Sequence, residues 1–566
     1  MHIPSIRCAV LLIGWAQMSV PAEAQPAVLT HHNDPFRSGV YSEERVLDSK
    51  SLTPDNFGRV LDFCVDGQVY AQPLYVPKLL FKDGITRNVL YVATMRNYLY
   101  AFDADAKSST EAQPLWTLGP SQLGDPVPFN FRHLVFAPFY NVHDSFGITS
   151  TPAIDLAEGA IYFVAKTLRP PHQAERDPLT RHFLYKVSLR EGAVLASTEI
   201  TARVPGTGYG SSQGWVPFEP DLQLQRAALL ISHGSVYLGF GSHQDTPEWH
   251  GWLFQYSASH LTQQHVWCVT PDGKRGAIWQ AGAGPAADAD GNLYVMTGNG
   301  TIATAPGRRD YSMSFVKLTA DLQVMGWYRQ KLSRLLNLFD LDLGAAGPVL
   351  AEPDFIVGGG KQGRLFVVDG KTPAGGTGPY ELRLASSVQA TPQFGPPFLI
   401  VPALGLYHIH GLPVVFHSST GTYVYVWAEK DYLKRFELLA NGSSYELSPK
   451  KGKDAPNSKP VHAPRPGLKP LLVNSMPGGM LSLSANGADI ETAIVWASMP
   501  REKDAWIEDV PGVLRAMDAS TLEELWNNSK EPQQYKFAKY CPPTVANGRV
   551  YLATFSGIIA VYGPKR

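Results

Sequence analysis

One short strand pattern recurs along this chain and constrains its fold more than any other feature. Residues 89–94 read Val-Leu-Tyr-Val-Ala-Thr, and a second apolar run follows at 99–104. The same pair returns near the C-terminus at 550–554 and 558–562. Six further copies of the first run lie between them, at residues 160–164, 235–239, 292–297, 355–358, 423–427 and 494–498. A repeated strand unit cannot bury its faces alone, so the copies must stack on one another.

Eight such copies, with periodic glycine and aromatic residues, predict an all-β fold: a single eight-bladed β-propeller of four-stranded blades. The last copy has no outer strand after it. Residues 57–65, before the first copy, have a strand-like pattern but belong to none of the eight copies. We therefore expect this N-terminal strand to complete the last blade and close the ring, which removes free sheet edges. Inner strands are predicted on the small-residue segments before each repeat, at residues 69–74, 149–154, 226–231, 280–285, 343–348, 410–415, 478–483 and 541–545.

The first 24 residues have the pattern of an export signal. Arg7 precedes an apolar run at 8–15, and Ala22-Glu23-Ala24 has the small-x-small form of a cleavage site. We expect cleavage after Ala24, a periplasmic or secreted location, and a propeller over residues 25–566. The apolar run is too short to span a bilayer, and no later stretch is apolar enough, so no membrane span is expected.

Composition narrows the range of partners. The formal net charge is −1, without a basic bias, which argues against nucleic acid or an anionic membrane as a partner. Three cysteines follow the signal, Cys64, Cys268 and Cys541, and their apolar contexts predict buried thiols without a disulfide. We expect the protein to be a monomer.

Loop lengths distinguish the two faces of the predicted ring. Turns between the first and second strands of a blade are short, whereas the opposite face carries the long loops. These loops lie at residues 120–147, 168–181, 205–224, 300–311, 392–407, 438–477 and 499–511, of which 438–477 is the longest insertion. Long loops on a rigid scaffold commonly carry function. We therefore expect a site on this long-loop face, over the central channel.

Several segments resemble one known family. They include Gly-Gln-Val-Tyr-Ala-Gln-Pro-Leu-Tyr-Val at 67–76, Tyr-Ala-Phe-Asp at 100–103, Pro-Gly-Gly-Met-Leu-Ser at 477–482 and the segment 541–548. They resemble the blades of the PQQ-like β-propellers, the quinoprotein alcohol dehydrogenase-like superfamily, and an exported bacterial branch of it. The resemblance implies a propeller fold and raises pyrroloquinoline quinone (PQQ) with calcium as a cofactor.

The chain departs from the catalytic members of that family. They carry a vicinal Cys-Cys ring against the quinone, whereas no two cysteines are adjacent here. There is no Cys-x-x-Cys-His motif for a haem. The Glu, Asn and Asp ligands of calcium cannot be placed residue by residue, so no PQQ ligand is carried over.

Histidines and one aspartate form two candidate metal sites. His243, Asp245 and His250 share one long-loop segment, and imidazoles with a carboxylate suit a transition metal. The alternative is a loop held by hydrogen bonds from these side chains. His408 and His410 are two residues apart, so both point to one side of an extended segment. Their alternative is a solvated or packing pair.

A carboxylate from another blade would complete the His408–His410 pair, and Asp340 and Asp342 are the candidates.

Four cations and one tryptophan form a second kind of candidate site. Lys166, Arg226, Lys361 and Lys539 lie at strand ends or at the starts of inner strands. If they ring the channel mouth they attract an anionic ligand, of which PQQ is one. The alternative is surface charges paired with nearby acids. Trp279 offers a stacking surface for a planar ligand, and its alternative is packing between blades.

Two classes of function remain, with a minor third. The first is a binding or scaffold propeller whose long-loop face takes a protein, a glycan or a small anionic ligand. The alternative is a quinoprotein-like oxidoreductase of the PQQ-dependent dehydrogenase type, so the sequence leaves open whether the protein is an enzyme. The third is a metal-dependent lyase or hydrolase that uses the channel-mouth histidines. The missing Cys pair and haem motif favour the first class.

Overall fold

The computed structural model describes residues 26–50, 52–129, 142–170, 179–243, 248–303, 307–371, 379–391, 407–449, 461–462, 476–506 and 508–565. The predicted export signal lies outside this part of the chain. So does most of the predicted insertion 438–477, although the outer strand Ser444–Pro449 lies within it.

The chain forms eight antiparallel four-stranded blades, as the repeats predict. The strands of each blade are given from the innermost to the outermost. Blade 1 consists of Leu74–Leu80, Thr86–Ala93, Leu99–Asp103 and Pro114–Leu118, and blade 2 of Ala153–Asp155, Ala160–Leu168, Thr180–Ser188 and Val194–Glu199. Blade 3 consists of Leu230–Ser232, Ser235–Ser242, Trp252–Ser257 and Gln263–Cys268, and blade 4 of Ala286–Ala287, Leu293–Met296, Ser314–Leu318 and Val324–Arg329. Blade 5 consists of Val349–Glu352, Phe355–Gly359, Arg364–Asp369 and Arg383–Gln389, and blade 6 of Val414–Ser418, Gly421–Trp427, Leu433–Asn441 and Ser444–Pro449. Blade 7 consists of Met480–Ser484, Ile494–Pro500, Gly512–Asp518 and Glu524–Asn527, and blade 8 of Thr544–Ala546, Arg549–Ala553, Ile558–Pro564 and Phe57–Cys64. The second strands are almost wholly buried, because both of their faces pack against neighbouring blades.

Several short strands and helices lie outside the four-stranded blades. Small strands lie at Val40–Tyr41, Val127–Pro128, Ser145–Phe146, Arg203–Pro205, Trp215–Pro217, Gln223–Leu224, Tyr380–Glu381 and Val461–His462. The α-helices are Pro120–Leu123 and Ser333–Leu338, and the 3₁₀ turns are Gln280–Gly282 and Leu343–Ala345. Within the described ranges, no helix has the length and apolarity that a membrane crossing requires.

The closing strand joins blade 8 to both of its neighbours. Phe57–Cys64 pairs antiparallel with Ile558–Pro564, which confirms the predicted closure by an N-terminal strand. The Phe57 ring lies against two tryptophans of blade 7, with centroids 4.9 Å from Trp526 and 5.5 Å from Trp496. At the other end of the strand, Phe63 stacks at 4.6 Å on Phe102 of blade 1. The ring is therefore closed by side-chain packing as well as by backbone hydrogen bonds.

The predicted inner strands begin too early. In six blades the strand starts at the residue directly after a proline, namely at Leu74, Ala153, Ala286, Val349, Val414 and Thr544. Proline has no N–H to donate to the ladder, so the pairing begins only after it. The small residues before each proline form the chain that crosses the channel mouth.

Residues 28–44, the axial segment, run past the inner edge of all eight blades in order. The hydrogen bonds join Val28 to Tyr75, Leu29 O to Ile154 N, Thr30 Oγ1 to Leu229 O, Pro35 O to Ala287 N, Phe36 O to Leu350 N, Ser38 O to Val415 N, Gly39 O to Leu483 N and Glu44 Oε2 to Gly548 N. These bonds satisfy backbone groups that an open channel would leave unpaired. The axial segment therefore occupies the centre of the ring.

The Arg37 side chain connects the axial segment to the neighbouring blades. This side chain is fully buried, and its guanidinium donates to Thr30 Oγ1 (2.7 Å), His31 O (2.8 Å), Pro285 O (2.9 Å) and Leu229 O (3.1 Å). A buried charge is tolerated only with this kind of hydrogen-bond satisfaction. Arg37 therefore ties the axial segment to blades 3 and 4.

The three cysteines of the described chain are free. Cys268 and Cys541 are buried, as predicted, but Cys64 is exposed. Side chains alternate along a strand, and Phe63 takes the buried face of the closing strand, which turns Cys64 outward.

Candidate functional site

A cluster of polar and aromatic side chains meets over the axis on the long-loop face. The Arg226 guanidinium lies 4.1 Å from the ring centroid of Tyr540 and 5.3 Å from that of Tyr70. The His410 ring lies 6.1 Å from that of Tyr540. Residues from blades 1, 3, 6 and 8 thus touch one another, which is possible only near the axis of the ring. We name the set Tyr70, Arg226, His408, His410, Glu429, Lys539 and Tyr540 the axial cluster.

The repeat explains why these residues converge. Four of them occupy the same position, four residues before the first residue of an inner strand: Tyr70 before Leu74, Arg226 before Leu230, His410 before Val414 and Tyr540 before Thr544. The segment that crosses the channel mouth therefore delivers one side chain per blade to the axis. The chemistry of the cluster is set by which residue each blade places there.

Arg226 and Lys539 are two cations without a carboxylate partner among the described residues. Nη2 of Arg226 is buried and makes no hydrogen bond. Lys539 is 1% exposed, and its Nζ donates to the backbone O of Trp506 at 3.3 Å. Burial and the nearby Arg226 charge lower the pKa of Lys539 to about 7, although Asp509 and Asp504 favour its charged form. These carboxylates act from a distance, outside ion-pair contact.

His408, His410 and Glu429 bring their donor atoms together. One ligand atom from each lies within 4.8 Å of the others. His410 Nε2 is 3.0 Å from Glu429 Oε1, and His408 Nδ1 is 3.9 Å from Glu429 Oε2. Glu429 follows the second strand of blade 6, and its N–H donates to His408 O at 3.0 Å. This bond ties the turn that carries the carboxylate to the segment that carries both imidazoles.

Burial sets the charge of this trio. It lowers the pKa of His408 to about 4 and that of His410 to about 3, so both imidazoles are neutral at pH 7. It raises the pKa of Glu429 to about 7, against the attraction of His408. A positive charge bound at this position would stabilise the carboxylate.

Lys361 and the two predicted aspartates pair with one another. Lys361 Nζ lies 2.7 Å from Asp342 and 2.8 Å from Asp340. Burial opposes the charge of Lys361, but the two carboxylates outweigh it and raise its pKa above the usual value. The carboxylate beside the histidines is therefore Glu429, and neither Asp340 nor Asp342 takes that place.

Lys166 and His243 form a separate buried contact between blades 2 and 3. Lys166 Nζ lies 2.7 Å from His243 Nε2 and donates to Gln223 O (2.9 Å) and Pro220 O (3.0 Å). Burial lowers the pKa of Lys166 to about 7 and that of His243 well below its usual value. These contacts match the hydrogen-bonding alternative for His243.

The remaining predicted residues make local contacts. His250 bonds Tyr209 O (2.8 Å) and Thr270 Oγ1 (3.1 Å). Trp279 packs edge-on against Trp249 at 5.5 Å. Asp245 lies outside the described residues. Within the described chain, neither His243 nor His250 joins a group of three metal-ligating side chains.

Sequence reasoning missed Glu429, Tyr70 and Tyr540. Glu429 follows Val-Tyr-Val-Trp-Ala in the turn after a second strand, as Lys361 follows its own strand, so a charged residue in this turn is a usable signal. The two tyrosines resemble ordinary core aromatics in sequence.

Comparison with known proteins adds support for the fold. No family model matches the chain, and no curated protein matches its sequence. The solved structure of quinohemoprotein alcohol dehydrogenase from Comamonas testosteroni is similar, with a TM-score of 0.55 at 14% identity over 96% of this chain and 81% of that one. Quinohemoprotein alcohol dehydrogenase ADHIIG from Pseudomonas putida HK5 gives a TM-score of 0.51 at 13% identity over 95% of this chain and 80% of that one. The chain therefore has the propeller fold that these dehydrogenases share.

The axial cluster does not fit the quinone site of the catalytic enzymes. Cys268 and Cys541 are buried, free and far apart in sequence, so they offer no vicinal disulfide platform. The carboxylate of the cluster is flanked by two imidazoles instead of the Asn and Asp expected beside calcium. The cluster has its own donor set.

Proposed function

We propose that this protein is a binding propeller that captures a small dicarboxylate anion at the axial cluster on its long-loop face. The observation that carries the proposal is the pair of basic side chains, Arg226 and Lys539, in the axial cluster, neither of which has a carboxylate in ion-pair contact among the described residues. Burying a charge without a partner is costly, so such a pair is expected where a ligand supplies the opposite charge.

The surrounding groups support a planar or short anion. The Arg226 guanidinium lies against the rings of Tyr70 and Tyr540, and these contacts help to orient its donors. Burial raises the pKa of Tyr540 to about 12, so its hydroxyl stays neutral, and it donates to Met476 Sδ at 3.5 Å. Guanidinium pairs with carboxylate through two parallel hydrogen bonds, which gives both energy and orientation.

The axial segment determines from which side a ligand reaches the cluster. Because residues 28–44 fill the centre of the ring, a ligand would enter and leave by the long-loop face. We further propose that the protein is exported through the signal at 1–24 and meets its ligand outside the cytoplasm.

Isothermal titration of metal-free protein with oxalate, malonate and succinate tests the proposal. We expect one site per chain, and we expect Arg226→Gln and Lys539→Gln each to weaken binding about 10- to 100-fold, because a hydrogen bond to a charged group contributes about 1.5–3 kcal/mol. Lys82→Gln is the matched control, since Lys82 is exposed and lies on the opposite face. Equal affinities in all four proteins would show that the cations do not form the site.

The oxidoreductase alternative has one supporting observation, the fold shared with the two dehydrogenases. Titration with PQQ and calcium, followed by dye-linked alcohol oxidation, separates it from a binding role. We expect no turnover, because the residues that would seat the quinone are missing. Turnover that depends on added PQQ would replace the binding proposal.

A further inference from the structure

Two imidazoles and one carboxylate converge beside the anion-binding cations, and their arrangement is unusual for hydrogen bonding alone. His410 Nε2 and Glu429 Oε1 are 3.0 Å apart, yet neither atom has a hydrogen-bond partner within the described chain. Both side chains are nearly fully buried, at 8% and 4% exposure. A buried polar atom left without a partner calls for an explanation, and a missing ion is one of the usual ones.

We propose that His408, His410 and Glu429 bind one divalent transition metal ion of the zinc class. Neutral imidazole nitrogens and a carboxylate oxygen are the ligands that such ions prefer. An ion bonded at about 2 Å to each of two donors holds those donors a little more than 3 Å apart. That is close to the separation of His410 Nε2 and Glu429 Oε1.

The sequence and the fold place both imidazoles on one side of their segment. Ile409 between them is 1% exposed and packs into the core between blades 5 and 6. Because side chains alternate in an extended segment, His408 and His410 point together away from that core. The N–H of Glu429 bonded to His408 O then fixes the carboxylate opposite the rings. The three ligands are held by two short segments of one blade, which favours a preorganised site.

The electrostatics agree with an ion at this position. Among the described residues, no Lys or Arg lies in ion-pair contact with Glu429, so its charge is left for an ion to neutralise. Three protein ligands leave a coordination position open, as in sites that bind an exchangeable fourth ligand. The ring of His410 lies 6.1 Å from Tyr540, on which Arg226 packs, so the open position is near the anion-binding cations.

Zinc titration of the full chain tests the proposal without any dicarboxylate present. The protein is freed of its affinity tag and of bound metal by a chelating resin, then titrated with Zn²⁺ in a non-coordinating buffer. We expect one ion per chain. We expect His408→Gln, His410→Ala and Glu429→Gln each to weaken Zn²⁺ binding by at least about 100-fold, since changes in second-shell groups alone cost up to that much. The control is His417→Ala, an exposed histidine on the inner strand of the same blade.

Two further observations distinguish a metal site from a group of hydrogen-bonded side chains. Substitution with Co²⁺ should produce visible absorption bands in the wild type that disappear in His408→Gln. His408 is the least buried of the three ligands, at 17% exposure, so this variant should fold. Glu429→Gln keeps a hydrogen-bond acceptor, so a purely hydrogen-bonding role predicts an unchanged protein. Absence of stoichiometric Zn²⁺ binding in the wild type, or affinities unchanged in all three variants, would overturn the metal site. Neither result bears on anion binding by Arg226 and Lys539, which is measured in metal-free protein.

Discussion

Phe57→Ala tests whether the N-terminal strand closes the propeller. The Phe57 ring is 1% exposed and lies within 6.5 Å of the rings of Trp496, Trp526 and Tyr562, so its removal opens a cavity between blades 7 and 8. Truncating a fully buried phenylalanine costs about 3–5 kcal/mol. With three aromatic neighbours that cannot collapse together easily, we expect a loss of about 4 kcal/mol in the free energy of unfolding.

Urea denaturation followed by tryptophan fluorescence suits this measurement, because Trp496 and Trp526 both lie against the altered site. Val60→Ala is the matched control: it lies on the same strand, but Val60 is 39% exposed at the strand's irregularity. We expect the control to cost less than about 1 kcal/mol. Equal and small losses in the two variants would refute the role of this strand in closing the ring.

The remaining predictions concern the axial segment and the two candidate sites. Arg37→Met should lower the free energy of unfolding by at least about 3 kcal/mol, because it strands the buried acceptors, whereas the exposed Arg45→Met should be neutral in the same thermal melts. Burial lowers the pKa of His32 to about 3, so the unfolded chain takes up a proton below pH 6.5 that the folded chain refuses, and His32 should cost about 2 kcal/mol of stability between pH 7 and 5. His32→Asn, which tolerates the left-handed φ of 55° at this position, should reduce the loss of stability between pH 7 and 5 by about 2 kcal/mol, the remainder coming from other buried histidines, and an unchanged loss would contradict the assignment. Bound Zn²⁺ should raise the affinity for oxalate; an affinity independent of Zn²⁺ would place the two ligands in separate sites.

The repeats predicted the architecture well, because each blade repeats the same buried second strand. They misplaced the inner strands, since the small residues before Pro73 and Pro348 look extended but cross the channel mouth without pairing. The axial segment was missed for a related reason. Residues 28–44 have no periodic apolar pattern, because successive parts of the segment meet different blades. Its structure depends on long-range contacts that a local pattern does not encode.

The candidate site was predicted in part. Arg226, Lys539, His408 and His410 were chosen because they stand at the starts of inner strands, and the structure places all four in the axial cluster. Lys361 was chosen on the same kind of ground, but its charge is neutralised by two aspartates. Whether a charged side chain forms an ion pair depends on loops from different blades. The spacing of residues within the sequence does not show which of these loops meet.

The affinity for oxalate as a function of pH tests the central claim most directly. Lys539 faces Arg226, Asp504 and Asp509, and its pKa of about 7 means that it loses its charge as the pH rises through neutrality. A bound dicarboxylate raises that pKa, so binding takes up a proton and is stronger on the acid side. In metal-free wild type we predict that oxalate affinity falls about 20-fold between pH 6 and 8.5, by proton linkage at a single group. Lys539→Gln should bind weakly and lose most of this pH dependence; Glu429, whose pKa is raised to about 7 by burial, accounts for what remains. A wild-type affinity that does not change with pH, or the same profile in Lys539→Gln, would contradict the proposal that the axial cluster is the anion site.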